Sequence, residues 1–98
     1  MPPLDFDGEY GRSYAKSIRH SVPGYDVLHE IALATIHNMA SEASHILVVG
    51  PGPGEQLPPL LRACPKAALT VLEPSQQMLS FCKQTIANIE GRERCVFI

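Results

Sequence analysis

The amino-acid sequence predicts an α/β fold in which strands and helices alternate. Short apolar runs begin at His45, Leu69 and Cys95, and the lack of alternation in the first is typical of a strand covered on both faces of a parallel sheet. Segments with apolar residues at helical spacing separate these runs. Strand–helix–strand–helix–strand with short connections predicts the βαβαβ half of a doubly wound parallel sheet.

Two amphipathic helices are expected before the first strand. In the first, Tyr10, Tyr14 and Ile18 recur at four-residue spacing, and Asp7 is the expected N-cap. Pro23 ends this helix, because proline cannot continue it. We expect the tyrosines to pack against the body of the protein; the alternative is a lid whose phenol groups face a ligand.

The second helix is predicted from about Tyr25 to Ala40. Its buried face is expected to contain Leu28, Ile31, Ala32, Ile36 and Met39. His29 and His37 are expected on the solvated face. Residues 1–44 are therefore predicted to form an N-terminal helical lid or cap segment.

Residues 45–98 are predicted to form a Rossmann-like half-domain. The expected elements are a strand at 45–49, a helix at 57–64 with Pro58 and Pro59 in its first turn, a strand at 69–73, a helix with Ser75 as N-cap that ends at Gly91, and a strand at 95–98. These elements supply about three strands of a sheet.

Composition excludes several classes of function. The 98 residues carry a net charge of −2 and no basic stripe, so the chain gives no nucleic-acid signal. No apolar run approaches the ~20 residues of a membrane span, and the amino terminus does not resemble a signal peptide, so a cytoplasmic location is expected. Cys64, Cys82 and Cys95 lack CxxC spacing and are expected to be buried apolar residues; no metal site is expected.

The candidate site combines a glycine turn with a carboxylate. Gly50, Gly52 and Gly54 follow the first strand, and Glu73 ends the second strand nineteen residues after Gly54. Glycines there leave backbone bare for a ligand, and the carboxylate can accept hydrogen bonds from both hydroxyls of a ribose. Pro74 is placed to lie against an adenine. The pattern predicts an adenosine-type ligand.

The spacing of the glycines favours a ligand without a pyrophosphate. A dinucleotide motif would have its third glycine at position 55, where this chain has Glu55. A carboxylate beside the turn repels phosphate and suits a ligand with a cationic end. A Walker P-loop is excluded, since no Gly-Lys-Ser/Thr is present.

The segments VVGPGPGE and LTVLEPSQQML resemble motifs I and II of the class I S-adenosylmethionine-dependent methyltransferases. The resemblance covers residues 45–98 and implies S-adenosyl-L-methionine, or S-adenosyl-L-homocysteine, as the cofactor. It implies that Gly50, Gly52 and Gly54 line the methionine moiety, that Glu73 holds the ribose, and that Pro74 borders the adenine. The implied reaction is methyl transfer to an acceptor that the sequence does not identify. The catalytic residues are equally unidentified.

A second resemblance lies upstream. Residues 19–25, Arg-His-Ser-Val-Pro-Gly-Tyr, are similar to a segment of the carboxy-S-adenosylmethionine synthase group, with His20 inserted. The resemblance implies that Arg19 is a candidate to bind a carboxylate of the ligand; otherwise it is a solvated charge at a helix end. Methyl transfer and formation of the carboxy-cofactor both remain open.

A complete class I fold has seven strands, so the sequence is expected to be a truncated, cofactor-binding part without turnover of its own. In such a fold the first strand pairs with a fourth strand. Without it, the strand at 45–49 has an apolar open edge, which predicts a homo-oligomer. One alternative is a non-catalytic, self-associating structural module. Another is a nicotinamide-binding fragment of an oxidoreductase.

Overall fold

A computed structural model describes residues 5–98 of the chain. The elements in chain order are α1 (Glu9–Arg12), α2 (Tyr14–Ser21), α3 (Tyr25–Ala40), β1 (His45–Val49), α4 (Leu57–Ala63), β2 (Ala68–Leu72), α5 (Gln76–Ile86), a 3₁₀ turn (Arg92–Arg94) and β3 (Cys95–Phe97). Strands and helices alternate from β1 onward, and each strand begins within one residue of its predicted position.

The three strands form one parallel sheet in the order β1-β2-β3. Val49 pairs with Leu72, and Val71 pairs with Phe97, so the carboxyl ends of β1 and β2 lie side by side. The predicted α/β class with a parallel sheet is confirmed. As expected, β1 is an edge strand among the described residues, with β2 as its neighbour.

The core lies between one face of the sheet and the helices. Leu69 and Val71 of β2 are fully buried there, flanked by the half-buried Ile46 and Val48 of β1. The helices contribute Leu57, Leu60, Leu61 and Cys64 from α4, Cys82 and Ile86 from α5, and the half-buried Leu33 and Ile36 from α3. Burial of this apolar surface is the main force holding the helices to the sheet.

The opposite face of the sheet is apolar and open. Leu47 is 61% exposed and Val49 is 72% exposed in β1, and Val96 of β3 is 55% exposed. Within residues 5–98 the helices that pack on the sheet therefore lie on a single face. A doubly wound sheet has helices on both faces, and that part of the prediction is not seen in the described chain.

The prediction of two helices before β1 is wrong, because the first helix is interrupted at Ser13. Its hydroxyl donates to the carbonyl oxygens of Glu9 and Tyr10, at 3.2 and 3.3 Å. Ser13 ends α1 and also precedes α2. Serine side chains that hydrogen-bond nearby backbone compete with helix continuation. Two short helices replace the single predicted one, and Gly8 rather than Asp7 precedes α1.

Most of the predicted buried face of α3 is also wrong, and of its five residues only Ile36 is partly buried. Leu28, Ile31 and Met39 are exposed, Met39 to 82%. The residues that are partly buried are instead Tyr25, His29, Leu33, Ile36 and Ala40. Apolar residues extend around much of this helix, so two overlapping stripes have helical spacing, and packing against α4 selects one of them.

Within residues 5–98, no helix combines the length and the apolar character needed to cross a bilayer.

Arg94 links the turn before β3 to the end of α4. Its guanidinium donates to the carbonyl oxygens of Leu61, Cys64 and Ala67 at 2.7–2.9 Å. The last carbonyls of a helix lack partners within it, and a cation near them is favourable. Arg94 therefore caps the carboxyl end of α4, and its hydrogen bonds hold the turn before β3 against the segment that leads into β2.

Candidate functional site

The glycine turn and Glu73 lie beside each other at the carboxyl edge of the sheet. Gly50 follows β1 and donates its amide hydrogen to the carbonyl of Leu72, the last residue of β2, at 2.9 Å. Gly50 and Gly52 have φ of 63° and 60°, values that residues with a Cβ rarely adopt. The sequence places glycine where the backbone requires it, and the turn brings Gly52 to the residue after β2.

Glu73 connects the two motifs directly. Its Oε1 accepts a hydrogen bond from the amide of Gly52 at 3.1 Å, and its Oε2 accepts one from the amide of Ser75 at 3.0 Å. A carboxylate has about four lone-pair sites. Each oxygen of the half-buried Glu73 therefore keeps a site for one further donor, which matches the two adjacent hydroxyls of a ribose.

A cavity of about 250 Å³ lies against this carboxylate. Its walls are Phe6, Tyr14, Gly50, Gly52, Glu73 and Pro74. We call it the Glu73 cavity. It contains four of the predicted site residues, together with two aromatic rings from the N-terminal part of the chain.

A second cavity of about 330 Å³ lies on the other side of Tyr14. It is lined by Tyr14, Tyr25, His29, Val48, Val49, Gly50, Pro51, Gly52, Gln56, Leu57 and Leu60, and we call it the Tyr25 cavity. Tyr14, Gly50 and Gly52 line both cavities, so the two share the glycine turn as a common wall.

The Tyr25 cavity contains polar groups that the sequence did not identify. Burial raises the pKa of the Tyr25 hydroxyl, and the nearby Tyr14 and Glu55 raise it further. The His29 ring packs edge-on against the Tyr25 ring, with centroids 4.5 Å apart. The prediction that His29 lies in solvent is wrong, because α3 packs with a different face. The sequence signal for this cavity was Tyr14, since the lid alternative for the tyrosine stripe directs phenol groups toward a ligand.

Gly54 lies behind the turn and lines neither cavity. It is buried, with φ of 82°, and a Cβ at this position would lie 2.9 Å from the Sγ of Cys82 and 3.0 Å from its Cα. Gly54 therefore allows the turn to pack against the backbone of α5.

Side chains of α5 fix the turn from the same side. The Cys82 thiol donates to the carbonyl of Gly52 at 2.9 Å, and the Thr85 hydroxyl donates to the carbonyl of Pro53 at 2.8 Å. Burial raises the pKa of the Cys82 thiol to about 11, and the charge of Glu73 adds to the increase. The thiol therefore stays protonated at neutral pH and serves as a donor.

The three glycine amides of the turn are not free to bind a phosphate. The acceptors of its three glycine amides are Leu72 for Gly50, Glu73 for Gly52 and Pro51 for Gly54. Residues 51 and 53 are prolines and have no amide hydrogen.

The first three residues of α4 also offer no free amide hydrogen to an anion. The Leu57 amide donates to the carbonyl of Gly54 at 3.0 Å, and the next two residues, Pro58 and Pro59, have no amide hydrogen. Binding of a pyrophosphate at a helix N-terminus depends on such free amides. The mode used by dinucleotide sites therefore does not operate at this turn.

Arg19 lies outside both cavities. Its guanidinium bonds the carboxylates of Asp26 and Glu55 and the carbonyl of Ala15, which together use all five of its N–H groups. These partners, Asp26 first, hold the pKa of Arg19 well above its ordinary value, and the pKa of Asp26 is lowered in turn. In this arrangement Arg19 joins α2 to α3 and to the glycine turn, and keeps no donor for the carboxylate of a ligand.

Comparisons with protein-family models, with curated protein sequences and with solved structures found no significant match for this chain. The geometry therefore carries the functional assignment. Of the six predicted site residues, Gly50, Gly52, Glu73 and Pro74 meet at one cavity. The other two, Gly54 and Arg19, support the turn from outside it.

Proposed function

We propose that this chain binds S-adenosylmethionine or S-adenosylhomocysteine and forms the cofactor-binding part of a methyltransferase. One observation carries the proposal: Glu73 keeps two acceptor sites beside a turn whose glycine amides are all engaged. Such a site accepts a ribose, and none of its three glycine amides is free to donate to a phosphate. S-adenosylmethionine combines a ribose with a 5′ substituent that contains no phosphate.

The two cavities suit the two ends of such a ligand. The adenosine part occupies the Glu73 cavity, with both ribose hydroxyls donating to Glu73 and the base against Pro74. The 5′ substituent crosses Gly52 and enters the Tyr25 cavity. The charge of Glu55 is paired with Arg19, whose guanidinium also lies over the Tyr25 ring, 5.3 Å from its centroid. The ring of Tyr14 is therefore the group that attracts a sulfonium cation.

When bound, S-adenosylmethionine supplies an electrophilic methyl group on a sulfonium, which leaves as a neutral thioether. The residues of this chain contribute binding and orientation, which supply a large part of the acceleration when the leaving group is already good. Glu73 orients the ribose, and Gly50 and Gly52 allow the ligand to approach the backbone. The acceptor and any general base are not assigned to residues of this chain.

The fold supports the same proposal. Parallel strands in the order β1-β2-β3, with helices on one face, are compatible with one half of a doubly wound sheet. Ligands of such sheets bind at the carboxyl ends of the strands, where both cavities lie. The engaged guanidinium of Arg19 favours methyl transfer over formation of a carboxy-cofactor, which would need a free cation for the added carboxylate.

Calorimetric titration with S-adenosylhomocysteine, NADH and ADP tests the proposal. We expect S-adenosylhomocysteine to bind, and we expect the two pyrophosphate compounds, NADH and ADP, not to bind. The variant Glu73→Gln replaces one charged acceptor by a donor, so its affinity is expected to fall by at least about tenfold, the range for a hydrogen bond to a charged group. Glu90→Gln is the matched control, since Glu90 is exposed and lines neither cavity.

Two results would contradict the proposal. One is tighter binding of NADH than of S-adenosylhomocysteine. The other is an unchanged affinity in Glu73→Gln when circular dichroism shows that the variant is folded.

A second candidate function is a non-catalytic, self-associating module. The open apolar face formed by Leu47, Val49 and Val96 favours it, because contiguous exposed apolar surface marks an interaction site. This candidate predicts oligomers that bind no adenosine compound. Light scattering combined with the titration above separates it from the first proposal.

A further inference from the structure

The segment of residues 5–12, which we call the N-terminal strap, runs across the amino end of α5. One side chain of α5, Gln77, makes most of the connection. Its Nε2 donates to the carbonyl oxygens of Phe6 and Gly8, both at 2.8 Å, and its Oε1 lies 3.4 Å from a guanidinium nitrogen of Arg12. The strap is therefore bonded at three points to a single amide side chain.

Asp7 adds a charged anchor at the same place. Its Oδ1 accepts hydrogen bonds from the Ser75 hydroxyl at 2.7 Å and from the backbone amide of Gln77 at 2.9 Å. Ser75 also accepts from the amide of Met78 as the N-cap of α5. These bonds lower the pKa of Asp7, so it is ionised at neutral pH. An anion at a helix N-terminus is favourable, and here it comes from the strap.

The docked strap supplies part of the wall of the Glu73 cavity. Phe6 lies on the strap and lines this cavity together with Pro74. The Phe6 ring packs edge-on against the rings of Tyr10 and Tyr14, with centroids 5.2 and 5.7 Å apart. Tyr14 lies 3.4 Å from the position of a Cβ on Gly52. The position of the strap therefore determines where two aromatic walls of the cavity stand.

The strap packs closely against α5 at Gly11. Gly11 is buried, and a Cβ there would lie 1.9 Å from the carbonyl oxygen of Phe6 and 2.6 Å from the Nε2 of Gln77. The chain folds back on itself at this point, around the amide of Gln77. A shift of the strap would break these bonds together.

We propose that Gln77 is a positioning residue for the adenosine ligand, and that ligand binding and docking of the strap are coupled. Gln77 lines neither cavity, so it acts by holding Phe6 and, through it, Tyr14 in place. This inference rests on the proposed function, because it concerns the same site. By linkage, a ligand that requires the docked strap also stabilises the docked strap by the same factor.

Calorimetry with S-adenosylhomocysteine on the full chain tests the first half of this inference. Loss of the two short hydrogen bonds in Gln77→Ala is expected to weaken binding about tenfold. Gln77→Glu keeps the size of the side chain but loses the Nε2 donors, and is expected to bind as weakly. The matched control is Gln76→Ala, an exposed residue of the same helical turn, which is expected to bind like the wild type.

Hydrogen exchange of the strap amides tests the coupling. In the wild type, S-adenosylhomocysteine is expected to slow exchange at Gly8, Gly11 and Arg12, whose amides donate to backbone carbonyls inside the strap. In Gln77→Ala, exchange without ligand is expected to be faster. A residue that only stabilised α5 would change exchange in the helix and leave the strap unaffected by ligand.

The outcomes separate this inference from the proposed function. If the wild type binds no S-adenosylhomocysteine, both are overturned. If the wild type binds and Gln77→Ala binds equally well, or strap exchange is indifferent to the ligand, only the coupling is overturned. Equal weakening of binding in Gln76→Ala would also overturn the coupling.

Phe6→Ala changes a partly exposed ring and leaves α5 intact, and we expect this variant to bind more weakly. An unchanged affinity would count against the strap as part of the site.

Discussion

The two faces of the sheet are built from similar residues and have opposite surroundings. On the helix face, Leu69 and Val71 have no exposed surface, and α4 and α5 cover them. On the open face, Leu47 and Val49 are mostly exposed, although they alternate with the half-buried Ile46 and Val48 along the same strand. The sequence of β1 does not distinguish its two faces, so the difference comes from where the connecting helices lie.

This difference indicates what each face contributes. The helix face provides the packing energy and holds the glycine turn, through Gly54 and the side chains of α5. The open face provides apolar surface that no helix of residues 5–98 covers. Exposed apolar side chains grouped on one face are typical of an interaction site, and β1 adds an open strand edge beside them.

The largest expected effect distinguishes the two faces directly. Leu69→Ala removes a fully buried side chain and is expected to lower the free energy of unfolding by about 3 kcal/mol. Leu47→Ala removes a side chain that is mostly in water in the single chain, so the expected loss is less than about 1 kcal/mol at concentrations where the oligomer dissociates. Urea denaturation at low protein concentration measures both. Equal losses would mean that the open face is covered in solution.

A smaller effect is expected at the glycine turn, where Gly54 is packed and Gly50 is not. Both have positive φ, and alanine in that conformation costs about 1–2 kcal/mol. At Gly54 the new methyl group also meets the backbone of Cys82, whereas at Gly50 it meets no atom within 4 Å. We expect the midpoint of thermal unfolding to be clearly lower for Gly54→Ala than for Gly50→Ala. The reverse order would show that the turn is not held against α5.

Leu47→Lys is expected to have the smallest effect on folding. This variant tests most directly whether the open face forms an interface. We expect the wild type to be a homo-oligomer joined through the β1 edge and the adjoining apolar face. A lysine at this position would place a charge in that interface and favour smaller species, with little change in unfolding of the chain itself. Light scattering at micromolar concentration is the measurement, and Gln84→Lys, at an exposed site on α5, is the control. A monomeric wild type would exclude this oligomer.

Most elements from β1 onward could be predicted because local signals agree there, although α5 ends at Ile86 and not at Gly91. Apolar runs located the strands, prolines located the first turn of α4, and Ser75 was identified as the N-cap of α5. The N-terminal part gave weaker signals. Apolar residues on two sides of α3 left its packed face undetermined. Asp7, predicted as the N-cap of the first helix, instead bonds the start of α5, almost seventy residues away.

The part of the candidate site that depends on local sequence patterns was also predictable. Glycine spacing and a carboxylate after the second strand are sequence-local patterns, and Gly50, Gly52, Glu73 and Pro74 do meet at one cavity. The contributions of Phe6 and Gln77 depend on contacts between distant parts of the chain. No spacing rule connects such residues, because their proximity exists only after α1 has docked on α5.

The prolines around the glycine turn have a further consequence. Pro51, Pro53, Pro58 and Pro59 fall within nine residues, and each fixes one backbone dihedral before the chain folds. Fewer conformations are therefore lost when the turn becomes ordered, which lowers the entropic cost of forming it. The glycines supply the required angles, while the prolines restrict the alternatives. A turn restricted in this way loses little further conformational entropy when a ligand binds to it. Less of the favourable contact energy is therefore offset, and the affinity is higher.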